Sequence, residues 1–288
     1  MNAVRYGTVD IDGQPIFYRE AGDPANPTVV LLHGFPTSSA MFRNLLRDLA
    51  DSYHLIAPDH LAFGQSGMPS VDEFAYSFDA LTELTLGLLD KLDVQQFALY
   101  IQDYGAPIGL RIASRHPERV TALITQSGNA YLEGFTPFWE PLFNHAKDRA
   151  TYEPDVRSLL TAEATRWQYT HGVPAQFLER ISPDTWTLDQ SYLDRPGNQE
   201  IQLQLFHDYQ HNLDAYPAFQ QYFRRHQPPT LVAWGKHDEI FGADGATAFA
   251  RDLPDAEIHL LDAGHFALET HGDEIAALIR DFLQRVLP

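Results

Sequence analysis

The stretch Phe97–Leu110 (FALYIQDYGAPIGL) carries the strongest chemical signal in the chain. An apolar run meets a polar residue pair, and Gly105 and Ala106 then permit tight passage into a helix. That is the setting of a nucleophile elbow, where a strained strand-to-helix turn presents one side chain. The central residue is Asp103. A carboxylate is ionised at neutral pH and can attack a saturated carbon without a base, leaving an alkyl–enzyme ester. Cleaving that ester requires water, and the water requires a base. His265, in Leu261-Asp262-Ala263-Gly264-His265-Phe266, is the candidate base. Asp238, in Trp234-Gly235-Lys236-His237-Asp238, is the candidate carboxylate that fixes the imidazole tautomer and steadies its charged form. The segment His33-Gly34-Phe35-Pro36 supplies a fourth part. The backbone N–H groups of Phe35 and Tyr104 are the candidate oxyanion hole, because Pro36 has no N–H to give.

Taken singly, each residue has a plainer reading. Asp103 reads as a helix N-cap, Asp238 as a turn residue, and His265 as a cap on the last helix. His33 and Asp59 read as supports of a loop. Jointly, the nucleophile, acid and base follow one another in order, each at the end of an apolar run, and that arrangement points to catalysis.

These residues need a scaffold of strands. Val4–Ile11 and Gln14–Glu20 are expected strands joined by an Asp12-Gly13 turn. Thr28–Leu32, His54–Ala57, Phe97–Ile101, Val120–Gln126, Thr230–Trp234 and Glu257–Leu261 are short apolar runs of the kind buried on both faces of a parallel sheet. Helices are expected after Ser38 or Ser39, with Met41, Phe42, Leu45, Leu46 and Leu49 at helical spacing, and at Phe78–Leu92, Gly105–Arg115, near Ala246–Asp252 and at Asp273–Val286. The alternation implies an α/β fold with helices on both faces of a mostly parallel sheet. In open α/β sheets ligands gather at the carboxyl ends of strands, where all of the candidate residues fall. From Tyr131 to Arg225 the text turns helical and aromatic. The expected division is a core of residues 1–130 and 226–288 and a helical cap, or lid, of residues 131–225.

Composition narrows the partners. The chain has 288 residues, with 39 acidic and 20 basic side chains, for a formal net charge of −19. Such a surface repels phosphate backbones, so no nucleic acid is expected. There is no cysteine, which removes disulfides and thiolate chemistry. No signal peptide or membrane-length apolar run stands out, so a soluble cytoplasmic protein without a membrane partner is expected. Monomer and homodimer both remain open. His207 and His211 imitate a zinc motif, but Asp208 stands where the required Glu would be, and no metal is expected.

At these residues the chain resembles the α/β-hydrolase superfamily, in its aspartate-nucleophile branch of epoxide hydrolases and haloalkane dehalogenases. His33-Gly34-Phe35-Pro36-Thr37-Ser38-Ser39 is similar to the dehalogenases' H-G-N-P-T-S-S, and Ile101-Gln102-Asp103-Tyr104-Gly105 to their V-H/Q-D-W-G. Ala57-Pro58-Asp59-His60-Leu61-Ala62-Phe63-Gly64-Gln65-Ser66 resembles A-P-D-x-x-G-x-G-x-S, with Ala62 replacing a glycine. The resemblance implies an α/β-hydrolase fold with an inserted helical lid, a small hydrophobic substrate with water as the second reactant, and no cofactor. Phe35 and Tyr104 replace the Asn and Trp that hold halide in dehalogenases. Epoxide hydrolases often carry an aromatic residue where Phe35 stands and use cap tyrosines on the epoxide oxygen. Tyr169 and Tyr209 are the corresponding candidates here, while Trp139 and Trp167 are candidate indole donors to a halide. The expected activity is therefore epoxide hydrolysis to a vicinal diol. Haloalkane dehalogenation by the same triad is the alternative, and a non-catalytic ligand-binding role is the third.

Overall fold

The computed structural model describes residues 3–287. Among the described residues eight strands form one sheet: β1 (Arg5–Ile11), β2 (Gln14–Ala21), β3 (Thr28–Leu32), β4 (His54–Pro58), β5 (Phe97–Gln102), β6 (Val120–Gln126), β7 (Thr230–Gly235) and β8 (Glu257–Leu261). Their spatial order is β1-β2-β4-β3-β5-β6-β7-β8. The β1–β2 and β2–β4 pairs are antiparallel, and from β4 to β8 every pair is parallel. The central runs TVVLL, FALYIQ and TLVAWG are buried almost throughout, as the lack of polar alternation requires for a sheet covered on both faces. The outer strands β1 and β8 are partly exposed, as edges are.

The helices are α1 (Leu45–Leu49), α2 (Phe78–Lys91), α3 (Gly105–Arg115), α4 (Glu140–Lys147), α5 (Arg149–Arg157), α6 (Ala162–Thr170), α7 (Pro183–Leu193), α8 (Asn198–Asp208), α9 (Gln210–His226), α10 (Ala243–Ala248) and α11 (Ala267–Val286). Helices α4 to α9 all lie between β6 and β7, so the aromatic segment forms a helical insertion.

Three helix expectations need correction. The helix after Ser38 is broken into a 3₁₀ turn, Ser39–Phe42, and the short α1, because Ser38 Oγ caps the first turn and the chain restarts at Leu45. The helix placed near Ala246–Asp252 is α10, which starts earlier and finishes in a 3₁₀ turn, Phe249–Arg251. The last helix begins at Ala267 and is interrupted at His271, whose φ of −128° is not helical. The sequence shows the second half of that helix and hides its first turn.

Two apolar layers sandwich the sheet. One includes Val30, Leu32, Leu99, Ile101 and Leu123, and continues into the insertion through Trp139, Phe206, Tyr209 and Phe223. The other includes Val29, Leu31, Tyr100, Ile124 and Ala233 with α1 and α11. Successive residues of β3 and β5 alternate between the layers, as a pleated strand demands. The insertion thus shares one core with the carboxyl edge of the sheet.

Candidate active site

Asp103 follows β5 with a φ of +47°, a left-handed conformation uncommon outside glycine but one that aspartate tolerates better than most residues, and its surroundings hold it there. The enforcement is visible on both sides. Ahead, Gly105 begins α3 so close to β3 that a Cβ would lie 2.2 Å from the Leu32 carbonyl oxygen. Behind, Gly34 lies against the carboxylate itself, and a Cβ there would lie 2.3 Å from Asp103 Oδ1. The glycine of His33-Gly34-Phe35-Pro36 is therefore required by the neighbour it faces. The Phe35–Pro36 peptide bond is cis.

The Phe35 backbone N–H donates to Asp103 Oδ1 at 2.6 Å, and the Tyr104 N–H donates to the same carboxylate. Asp103 Oδ2 stands 4.0 Å from His265 Nε2. On the other side of the ring, His265 Nδ1 lies 2.9 Å from Asp238 Oδ2. Asp238 Oδ1 accepts from the N–H groups of Ile240 and Phe241 at 2.8 and 3.1 Å, so that carboxylate is fixed at both oxygens. The residues singled out around the elbow thus meet at one corner of the sheet, after β3, β5, β7 and β8. Asp103, Asp238 and His265 are 5, 4 and 3% exposed, so their mutual interactions are little screened by solvent.

Burial pushes the Asp103 carboxyl above its ordinary value, while His265 and the N–H groups of Phe35 and Tyr104 pull it back down. Burial alone would lower the His265 imidazole. Asp238, by charge and hydrogen bond, and then Asp103 reverse this and raise it overall. An imidazole flanked by two carboxylates is primed to hold a proton.

The supporting loop is built from polar groups turned inward. The His60 N–H donates to His33 Nε2 at 3.0 Å, and His60 Nε2 sits 2.9 Å from the His33 carbonyl. Asp59 accepts from the N–H groups of Ser39 and Gln65, each at 2.7 Å. Both residues therefore hold the loop that carries Phe35. Ala62, where the family pattern has glycine, adopts a φ of +72°.

The four aromatic candidates from the insertion separate. Tyr209 packs beside Tyr104, with ring centroids 6.0 Å apart, and against Trp139 at 4.4 Å. Its hydroxyl is hydrogen-bonded to Tyr216, whose oxygen also accepts from Asn129 Nδ2 at 3.3 Å. Tyr169 is turned elsewhere. Its ring stacks on Phe266 at 4.0 Å and its hydroxyl donates to Asp189 Oδ2 at 2.5 Å. Burial pushes the Asp189 carboxyl up to about 7, and Thr37 is hydrogen-bonded to it. The Trp139 indole N–H donates to the Ile240 carbonyl at 2.8 Å, so the backbone already holds the proton expected for a halide. Trp167 lies on an outer groove with Leu159 and Ala164, stacked between Phe138 and His171. Tyr169, Trp139 and Trp167 thus have other partners than the sequence reading expected of them, because helical spacing does not tell which buried face meets the carboxylate and which meets another group.

Other participants were less visible in the sequence. Gln102 and Gln126 end β5 and β6, and both reach the His265 loop. Gln126 Nε2 donates to the His265 carbonyl at 2.7 Å. Tyr104 keeps a buried hydroxyl without a hydrogen-bond partner. The available signal was a polar residue closing an otherwise apolar strand at its carboxyl end. Among the described residues, no group of three or more His, Cys, Asp or Glu side chains gathers to hold a metal ion. Among the same residues, no helix is long and apolar enough to cross a membrane.

Comparison with known proteins agrees with this architecture. A protein named Uncharacterized hydrolase YNR064C, from Saccharomyces cerevisiae, is 46% identical over 270 residues, covering 92% of each chain. A haloalkane dehalogenase of Mesorhizobium japonicum is 29% identical over 94% of this chain and 88% of its own. Among solved structures, the haloalkane dehalogenase DatA from Agrobacterium tumefaciens C58 superposes with a TM-score of 0.81 at 23% identity, covering 98% of this chain and 97% of that one. The family model for the alpha/beta hydrolase fold matches residues 27–272, which spans every strand from β3 to β8 and all four segments that meet at the elbow, and the chain belongs to that family, with haloalkane dehalogenase-like relatives.

Proposed function

We propose that this protein hydrolyses epoxides to vicinal diols through an alkyl ester on Asp103. One observation carries the reading. The side chain at the strained elbow is a carboxylate with one oxygen held by the Phe35 N–H and the other facing an imidazole backed by Asp238.

The two oxygens suit different tasks. Oδ2 attacks the less hindered epoxide carbon, the ring C–O bond breaks, and the leaving oxygen becomes a tethered alkoxide. Oδ1 becomes the ester carbonyl and already lies in the oxyanion hole. A water then attacks the ester carbon, giving its proton to His265. Esterification removes the Asp103 charge, which is one of the influences raising the imidazole. The same step therefore lowers the imidazole and leaves it in its neutral form, free to take the water's proton.

The alkoxide needs a donor, and the polar groups beside Asp103 favour a phenol. Tyr209 is held protonated by burial, well above its ordinary value, so it keeps its proton until a stronger base forms. Phe35 has no side-chain donor, and the Trp139 indole is committed to the Ile240 backbone carbonyl, whereas the partner of the Tyr209 hydroxyl is another hydroxyl, Tyr216, which can give a proton in turn. The surrounding Phe35, Phe206, Tyr104 and Trp139 rings favour a small hydrophobic substrate.

Dehalogenation is the second reading. The names of several relatives favour it, as does the unpartnered Tyr104 hydroxyl, which could face a halide. Turnover of a panel containing styrene oxide and 1-bromohexane tests the choice. Diol release with little bromide is expected. Bromide release without diol overturns the epoxide assignment and keeps the nucleophile.

A further inference from the structure

Gln102 is the last residue of β5, directly before the nucleophile, and is fully buried. Its Nε2 lies 3.0 Å from His265 Nε2, closer than Asp103 Oδ2 at 4.0 Å. Its Oε1 is buried without a hydrogen-bond partner. Such a carbonyl is costly and calls for an explanation.

The chemistry of the neighbouring ring supplies one. Asp238 takes the Nδ1–H of His265, so the neutral imidazole carries a bare lone pair at Nε2. The Gln102 amide N–H covers that lone pair. Once His265 has accepted a proton, Nε2 becomes a donor, and an N–H facing it would repel. A half-turn of the amide about its last bond exchanges nitrogen for oxygen and brings the idle Oε1 to the new N–H.

We propose that Gln102 is a positioning residue that holds His265 in both protonation states of ester hydrolysis, its amide N–H on the neutral base and its Oε1 on the imidazolium. The inference rests on the ester mechanism above. In that half-reaction the water oxygen bonds to the Asp103 carboxyl carbon and its proton moves to His265 Nε2. The carbonyl electrons move onto Oδ1, facing the Phe35 and Tyr104 N–H groups. Their return breaks the bond to the alkyl oxygen, which takes the proton from Nε2 and leaves as the alcohol. The water's second proton, left on the new Asp103 carboxyl, returns to the Tyr209 phenolate that ring opening produced, and Asp103 is again a carboxylate. Gln102 has no part in the attack of Asp103 on the substrate, which uses no base. The charged groups acting on His265 are Asp238 and Asp103, so an uncharged amide adds a partner without adding a third charge.

Two full-length variants test this, Gln102→Met, which keeps the length and loses the amide, and Gln102→Glu, which accepts only. The first readout needs no substrate: the imidazole nitrogen resonances of His265 in protein carrying nitrogen-15 histidine, followed across pH. Gln102→Met is expected to move the Nε2 resonance toward that of a free lone pair. Gln102→Glu is expected to raise the His265 midpoint by about one pH unit or more. The second readout is mass analysis during turnover of styrene oxide. Gln102→Met is expected to slow turnover roughly tenfold with ester accumulating on Asp103 and the rate of ester formation little changed. Unmoved His265 resonances in Gln102→Met and an unmoved midpoint in Gln102→Glu would overturn the proposal, as would loss of ester formation and ester cleavage in equal measure. Absence of ester in the parent and in His265→Ala alike would count against the mechanism of Asp103, while the resonances would still decide the contact between Gln102 and His265.

Discussion

The carboxyl edge of the sheet and the helical insertion solve the placement of side chains differently. At the edge, backbone fixes the reacting atoms. Asp103 is set by a left-handed turn, Phe35 by a loop pinned through Asp59 and His33, and Asp238 by two N–H groups from its own loop. In the insertion, side chains on helices find partners across a packed interior. Tyr169 and Tyr209 are both buried phenols on that segment, yet one answers a carboxylate of α7 and the other packs against the residue next to the nucleophile. Strand ends state where chemistry happens. Helix faces state only that something is covered.

The largest expected effect that separates the two phenols is catalytic. Tyr209→Phe should lower kcat/KM for styrene oxide roughly 10- to 100-fold, because the alkoxide loses its donor. Tyr169→Phe should change it by less than about twofold, since its hydroxyl serves Asp189. Reversal of that order would break the comparison and return Tyr169 to the site.

A smaller effect concerns how the insertion is fastened. Asp189 on α7 bonds Tyr169 on α6 and Thr37, two residues beyond Phe35. Its folded pKa of about 7 lies above the ordinary 3.8 of a free carboxyl. The linkage has a definite sign: the group's contribution to stability is complete below pH ~4 and is lost as pH rises through 7. Asp189→Asn, which keeps the shape and cannot ionise, should therefore gain stability relative to the parent by something of order 1–3 kcal/mol between pH 5 and pH 8. Melting midpoints of both proteins at the two pH values check this. A parallel fall in both would show that Asp189 does not carry the strain of ionisation.

Much of the sheet was legible because its physics is local. Runs such as TVVLL and VTALITQ have no polar alternation and no room for another assignment, and their observed bounds match or differ by a residue. The elbow was legible because an apolar run, a carboxylate and Gly105 stand in immediate succession in the sequence. The rest depended on contacts between distant segments. Nothing near Trp139 in the chain announces that its N–H meets the Ile240 carbonyl, 101 positions away. Nothing near Tyr169 announces Phe266 or Asp189. The first turn of α11 was hidden because the helix was expected from Asp273, whereas His271 interrupts one already begun at Ala267. Gln102 stood in plain view, but its importance needs the imidazole of β8's following loop beside it.

The central claim is that the Asp103 carboxylate forms and loses a covalent bond to substrate. The most direct measurement is intact and peptide mass analysis of His265→Ala after exposure to styrene oxide. The account predicts a stable gain of one substrate mass, confined to the peptide containing Asp103, with no comparable adduct on Asp103→Ala. Turnover by the parent protein with no adduct in His265→Ala, or an adduct on a different residue, would contradict it.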